Sequence, residues 1–320
     1  MSEPASTPAP PAPTTSSSEI RVHADLHRDR DAADVVCEAV NAAIGTFQEH
    51  IEAAGRGDVR GVHQARVGLR RLRSHLRTFR RVVDIEWATA LSAEASWLAD
   101  SLGSIRDLDV LHARLVEGAL LQVPEQAPAI RGLVSMLEAQ REVALGNHLE
   151  LRETARYIGL VGRLDEATRE MPTRSIGEEP AAYLVPKLLL RTWRELRGAA
   201  RIEKKDPSIE HLHTVRIRAK RMRYACEAAT PVLGSAARRM ARSSEALQER
   251  LGEWHDASAA RAWLDGAARI RPDFASAAVR LASLESKAAE NAAAQWGTDY
   301  RTIKSDWKRI DPSRKKNKKR

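Results

Sequence analysis

VHQARVGLRRLRSHL, residues 62–76, and LHTVRIRAKRMRYAC, residues 212–226, are two versions of one pattern. In the first, Val62, Ala65, Leu69, Leu72, Leu76, Phe79 and Val83 recur at alternating spacings of three and four, the signature of a helix with one buried face. His63, Arg66, Arg70, Arg73, Arg77 and Arg80 form a second stripe one position round, about 100° away. In the second version Leu212, Val215, Ala219 and Met222 face inward, flanked by His213, Arg216, Lys220 and Arg223. At about 1.5 Å of rise per residue, the stripe from His63 to Arg80 is about 26 Å long.

The likeness extends beyond these helices. Val62–Val67 aligns with Leu212–Ile217 and Arg70–Arg73 with Lys220–Arg223, both at an offset of 150 residues; LGSIRD (102–107) aligns with LGEWHD (251–256) at 149. Three matches in order at a nearly constant offset indicate two copies of one helical unit related by a pseudo-twofold. Helical periodicity between the sparse prolines predicts eight main helices. The first four lie near 24–54, 59–83, 87–121 and 127–158. The second four lie near 181–203, 207–229, 235–269 and 273–298. The third helix of each set is expected to break near Gly103 and Gly252. Asp58 is the expected cap of the second helix, and Asp206-Pro207 with Glu210 the expected start of the sixth. Met171–Pro180 reads as the linker between the sets.

Composition agrees with packed helices. Of the 320 residues 43% are hydrophobic but only 4% aromatic, which argues against a β-sandwich. No run of about 18 apolar residues is present, so no membrane span is expected. The two cysteines, Cys37 and Cys226, are too few for a disulfide framework and point to a reducing, cytoplasmic setting. Residues 1–19 are Pro, Ala, Ser and Thr, without the basic and apolar regions of a signal peptide, and residues 311–320 are polar; both are expected to be disordered tails.

The net charge of +9 is unevenly placed. Val62–Arg81 holds seven arginines and no acid, His211–Tyr224 five bases and no acid, and Arg314–Arg320 six bases; the rest of the body between the tails is mildly acidic. A stripe meant for solubility would interleave Glu, because like charges at i,i+3 and i,i+4 cost about 0.2–0.5 kcal/mol per pair. Asp107, Asp109 and Asp256 are too few to neutralise both stripes. The stripes are therefore read as an anion-binding surface, since the planar fork of arginine suits phosphate oxygens.

His63 and His213 admit three roles: metal ligand, phosphoryl acceptor or neutral donor in the anion site. A fourth reading is a histidine held structurally by a hydrogen bond. Neither HExxH nor CxxC is present, and flanking arginines repel a cation, so no metal and no cofactor are expected. Asp107 and Asp256 are expected to orient an arginine or histidine across the bundle. The seven tryptophans form no ladder between the arginines, which weighs against a base-stacking surface.

The two basic segments, each followed about 40 residues on by an LGxxRD or LGxxHD box, strongly resemble the CHAD (conserved histidine α-helical domain) family, over roughly residues 22–300. The resemblance implies an all-α fold of two pseudo-twofold-related four-helix bundles forming one domain over 20–310, with repeats at about 20–170 and 180–308. It also implies binding of inorganic polyphosphate in a basic groove or pore between them. Carried over by position, the binding residues are His63, Arg66, Arg70, Arg71 and Arg73, then His213, Arg216, Lys220, Arg221 and Arg223; Arg77 of the first stripe is counted with them, and Asp107 and Asp256 are expected in support. Lys187, Arg191, Arg194 and Arg197, at helical spacing on the helix 181–203, join them. The ExExK signature of the attached CYTH domain seen in many members is absent from these residues, so its triphosphatase activity is not inherited. The expectation is a non-enzymatic module associated with polyphosphate granules, or with storing or sensing the polymer. The alternatives are a non-specific nucleic-acid-binding protein and a phosphohydrolase or phosphoryl-transfer protein using His63 or His213.

Overall fold

The computed structural model describes residues 30–311. The expected N-terminal tail, the start of the first expected helix and all but Asp311 of the basic tail lie outside them. Ten α-helices and no strand occur among the described residues. The first half holds α1 (Ala32–Gly55), α2 (Val59–Thr78), α3 (Ile85–Ala119), α4 (Ala127–Arg152) and α5 (Ala155–Arg169). The second holds α6 (Ala181–Lys205), α7 (Ile209–Ala228), the single turn α8 (Thr230–Leu233), α9 (Ser235–Ile270) and α10 (Ala275–Ile310).

Local chemistry sets the boundaries. Asp58 caps α2, its carboxylate accepting from the Gly61 N–H at 2.6 Å. Asp206 does not cap the corresponding α7: it terminates α6, and Ser208 accepts from the His211 N–H at 3.1 Å instead. The expected helix 127–158 is two helices, because Thr154 accepts from the Tyr157 N–H and begins α5. The last helix runs twelve residues past its expected end. Tyr300, Ile303, Trp307 and Ile310 continue the apolar stripe at spacings of three and four and are buried. α3 and α9 are unbroken at Gly103 and Gly252. Nor is 171–180 a free linker. The Asp84 and Arg174 amides bond to the Pro172 and Val82 carbonyls, and the Ala32 and Ala181 amides to the Glu179 and Arg30 carbonyls, at 2.8–2.9 Å.

Three cores hold the fold. In the first, α1, α2, α3 and α5 bury Phe47, Leu69, Leu72, Phe79, Leu98 and Leu160. In the second, α6, α7, α9 and α10 bury Leu196, Val215, Met222 and Leu251, with Trp193 stacked on Trp307 at 5.3 Å between ring centroids. The third joins the halves: the far ends of α3 and α9 pack with α4 and α10 around Leu115, Leu133, Leu137, Leu264 and Leu281. Each fully buried Leu or Phe is worth about 1.5–3 kcal/mol. α1 and α2 approach so closely at Gly68 that a Cβ there would lie 2.6 Å from the Phe47 amide nitrogen and 2.8 Å from the Ala43 carbonyl oxygen. These contacts place the unburied flanks of α2 and α7 against each other.

A basic cleft pair between two equivalent helices

α2 and α7 pack together around Arg70 and Lys220, which line two clefts. One cleft, of about 380 Å³, takes its walls from the N-terminal parts of both helices and from α3 and α9; His63, Arg66, Arg106, Arg216 and His255 line it, with the carboxylates of Asp107, Glu249, Glu253 and Asp256. The other, of about 300 Å³, lies toward the C-terminal parts and is lined by Arg73, Arg77 and Arg221 with Ser74, Ser92 and Tyr224, and no carboxylate.

Local packing explains why the cations gather there. The inward stripes Val62–Leu76 and Leu212–Met222 are buried in their own bundles, so the neighbouring stripes, about 100° round, meet at the seam. Gly103 assists: a Cβ there would sit 3.2 Å from Nε of Arg66, so its lack of a side chain lets the guanidinium lie against α3.

The cations are short of partners. Asp107 Oδ1 is 3.9 Å from Arg66. Among the described residues no carboxylate lies within 4.0 Å of Arg70, Arg73, Arg77, Arg106, Arg216 or Lys220. The Nε atoms of Arg66, Arg70 and Arg216 are buried without a hydrogen-bond acceptor. Unmade bonds of this kind cost about 1–3 kcal/mol each. Burial, then the charges of Arg70, Arg216 and Arg66, hold the Lys220 ammonium down to about 6. Burial lowers His63 and His255 to about 4, helped by Arg106 at the first and Arg216 at the second. His213 is also lowered by burial, and its ring lies 5.5 Å from that of His255. These imidazoles are neutral at pH 7. Burial raises the Asp256 carboxyl, against the pull of Arg216.

The other sequence-expected residues stand apart. Arg71 turns away to Glu227 at 3.1 Å, over the Tyr224 ring, and lines a different cavity with the buried His75. Arg223 is held by Glu227 and Glu245, both at 2.7 Å. Arg221 lines the second cleft but bonds Glu195 at 2.7 Å. On α6, Lys187 sits over Tyr183, Arg191 bonds Glu195 at 3.4 Å and Arg194 is exposed; none of the three lines either cleft. Conversely, Arg106 and His255 belong to the first cleft although sequence reasoning did not place them there. Both occupy the same place in the LGxxRD and LGxxHD boxes, just before Asp107 and Asp256, and that shared position was the available signal. Among the described residues no group of three or more His, Cys, Asp or Glu is arranged to hold a metal ion. No described helix is long and apolar enough to cross a membrane.

Several known proteins are similar to this chain in sequence or fold. The uncharacterized proteins Rv2226 and MT2285 of two Mycobacterium tuberculosis strains are each 28% identical over 241 residues. The match covers 72% of this chain and 44% of each of theirs, so the chain spans about half the length of these relatives. PptA from Streptomyces chartreusis superposes with a TM-score of 0.69 at 20% identity, covering 85% of this chain and 100% of that one. The crystal structure of the CHAD domain from the plant Ricinus communis gives 0.64 at 24% identity, covering 90% and 94%. At these identities the two structures establish the fold. The CHAD domain model matches residues 38–265, which include α2, α3, α7 and most of α9, and the chain belongs to the CHAD domain family.

Proposed function

We propose that this chain binds inorganic polyphosphate along the two clefts between α2 and α7, as a binding module and not as an enzyme. Its role is docking to polyphosphate granules in the cytoplasm, or storing or sensing the polymer. The family is linked to polyphosphate binding. The observation that carries the reading is the set Arg70, Arg73, Arg77, Arg106 and Arg216 with Lys220, six basic side chains with no carboxylate within 4.0 Å among the described residues. They are shared by two clefts that meet at Arg70 and Lys220. A polymer with a charge at every unit supplies the missing acceptors, and neutral His63 and His255 add donors or acceptors beside it.

Nucleic acid fits less well. The arginines whose buried Nε atoms lack partners line clefts of about 300–380 Å³ between α2 and α7, which admit a thin chain and are too small for a duplex. The aromatic ring of the second cleft, Tyr224, is buried and sits beneath Arg71 and Arg223, so it offers no open face for a base. Fluorescence competition at matched salt tests the reading: long-chain polyphosphate should displace labelled DNA, with affinity falling linearly in log–log salt. Binding of DNA as tight as polyphosphate at moderate salt would overturn it. Phosphate release from polyphosphate with a divalent metal, abolished by His63→Ala, would establish an enzyme instead.

A further inference from the structure

Arg70 and Lys220 hold equivalent places in the two repeats, both line the two clefts, and yet they differ in one respect. A guanidinium keeps its charge at any working pH, whereas a crowded ammonium can release a proton. We propose that Lys220 is the switchable cation of this site, shedding its proton when the clefts are empty and regaining one from solvent when polyphosphate enters, so that capture of the polymer takes up one proton. The proposal rests on the polyphosphate reading.

The surroundings of Lys220 act in one direction. α2 presents Arg66 and Arg70 to it, with Arg73 and Arg77 farther along; α7 itself presents Arg216 and Arg221 with His213 and Tyr224. α3 adds Arg106 and Asp107 to the shared cleft, His63 adds an uncharged ring, and α9 adds His255, Asp256, Glu249 and Glu253. Of the acids, Asp256 is the one that favours the charged ammonium, and it acts more weakly than any of the three arginines Arg70, Arg216 and Arg66. Glu253 is engaged by Arg114 at 2.9 Å. An arginine in place of Lys220 would leave the empty clefts with a fixed extra charge, while the lysine relieves it. A bound polyanion reverses the balance, and the ammonium is restored: one N–H bond forms on Nζ and the buffer gives up one proton. In the empty clefts His63 and His255 ionise at about 4 and burial lowers His213 as well, so Lys220→Arg, which keeps all three imidazoles, separates the lysine's proton from theirs.

Calorimetric titration of the full chain with long-chain polyphosphate, in buffers of different ionisation enthalpy at pH 8, measures the proton directly. Wild type should take up about one proton per site, and its Kd should weaken by up to about tenfold per pH unit between 7 and 9. Lys220→Arg should bind with little uptake and a flat profile over the same range. Should that variant fold poorly, Lys220→Met must also lose the uptake. Wild-type binding with buffer-independent heat, or equal uptake in Lys220→Arg, would overturn the proposal while leaving polyphosphate binding intact. Absence of wild-type binding at every pH would instead remove the polyphosphate reading itself.

Discussion

Replacing Lys220 by methionine should make the empty protein more stable. Methionine keeps a long unbranched stem of similar volume and removes only the ammonium. The ordinary lysine value of 10.5 falls to about 6 in the folded chain, because Lys220 is buried among Arg70, Arg216 and Arg66. Each unit is worth 1.36 kcal/mol, so the site costs up to about 6 kcal/mol below pH 6. The sign follows from proton binding. Between about 6 and 10.5 the unfolded chain holds the proton and the folded one does not, so wild-type stability rises with pH across that window. The advantage of Lys220→Met is therefore about 4–5 kcal/mol at pH 7, about 2 at pH 9 and nil above 10.5, with local relaxation lowering each figure.

Urea denaturation of both proteins at pH 7 and pH 9, without polyanion, tests this. The variant should unfold at higher urea at pH 7, and the gap should narrow at pH 9. With saturating polyphosphate the order should move back toward wild type, because ligand binding stabilises only the form it binds. A variant equal to or weaker than wild type at pH 7, or a gap that widens with pH, would refute the electrostatic account of the seam.

Charge reversal of Arg66 or Arg216 should weaken polyphosphate binding at least about 100-fold, or roughly 2.7 kcal/mol, whereas removing the residues after Asp311 should cost less than about tenfold; equal losses in a filter-binding or anisotropy assay would shift the main site to the tail. Arg223→Met should leave affinity within about threefold and lower stability by about 1–3 kcal/mol, because the pairs lost are those with Glu227 and Glu245. Gly68→Ala should lower the thermal midpoint by about 5 °C or more, since a Cβ cannot fit 2.6 Å from the Phe47 backbone and overpacking outweighs the helix-propensity gain; a midpoint at or above wild type in calorimetry would show that α1 and α2 separate at little cost.

How much of this was legible beforehand depended on whether a signal lay along one helix or between helices. The inward stripe of α2, the Asp58 cap and the 150-residue repeat are local, and the fold follows them. The same stripes placed Arg66, Arg70, Arg73, Arg77, Arg216 and Lys220 together at the seam. What failed was what neighbours decide. Arg71 and Arg223 carry the same basic motif as the others, yet lie on the sides of their helices that meet Glu227, an acid whose position no spacing reveals. The end of α10 was set by Trp193 and Trp307 stacking across the second bundle, a contact between residues 114 apart in sequence. Gly103 and Gly252 read as helix breaks because glycine weakens an isolated helix. Here the third core fastens both long helices beyond them, and at Gly103 the lost side chain makes room for Arg66.

The acids of this chain sort its arginines into two populations. Glu195 gathers Arg191, Arg218 and Arg221; Glu227 takes Arg71 and, with Glu245, Arg223; Glu253 and Glu285 together hold Arg114. Each network lies outside or at the edge of the seam, which explains how a body that is acidic away from the stripes can still leave a strongly positive strip. Neutralising the outer arginines lets α2 and α7 pack at all, since two uncompensated faces of seven and five bases would repel. On the proposed reading, leaving the inner ones unpaired preserves donors for an incoming polyanion. On that logic a carboxylate introduced among the unpaired set, at Ile217 for instance, where the side chain is exposed and lines the acid-free cleft, should raise stability and lower polyphosphate affinity together. Ile217→Glu improving both at once in paired urea and binding titrations would mean that the missing carboxylates are not what keeps the clefts receptive.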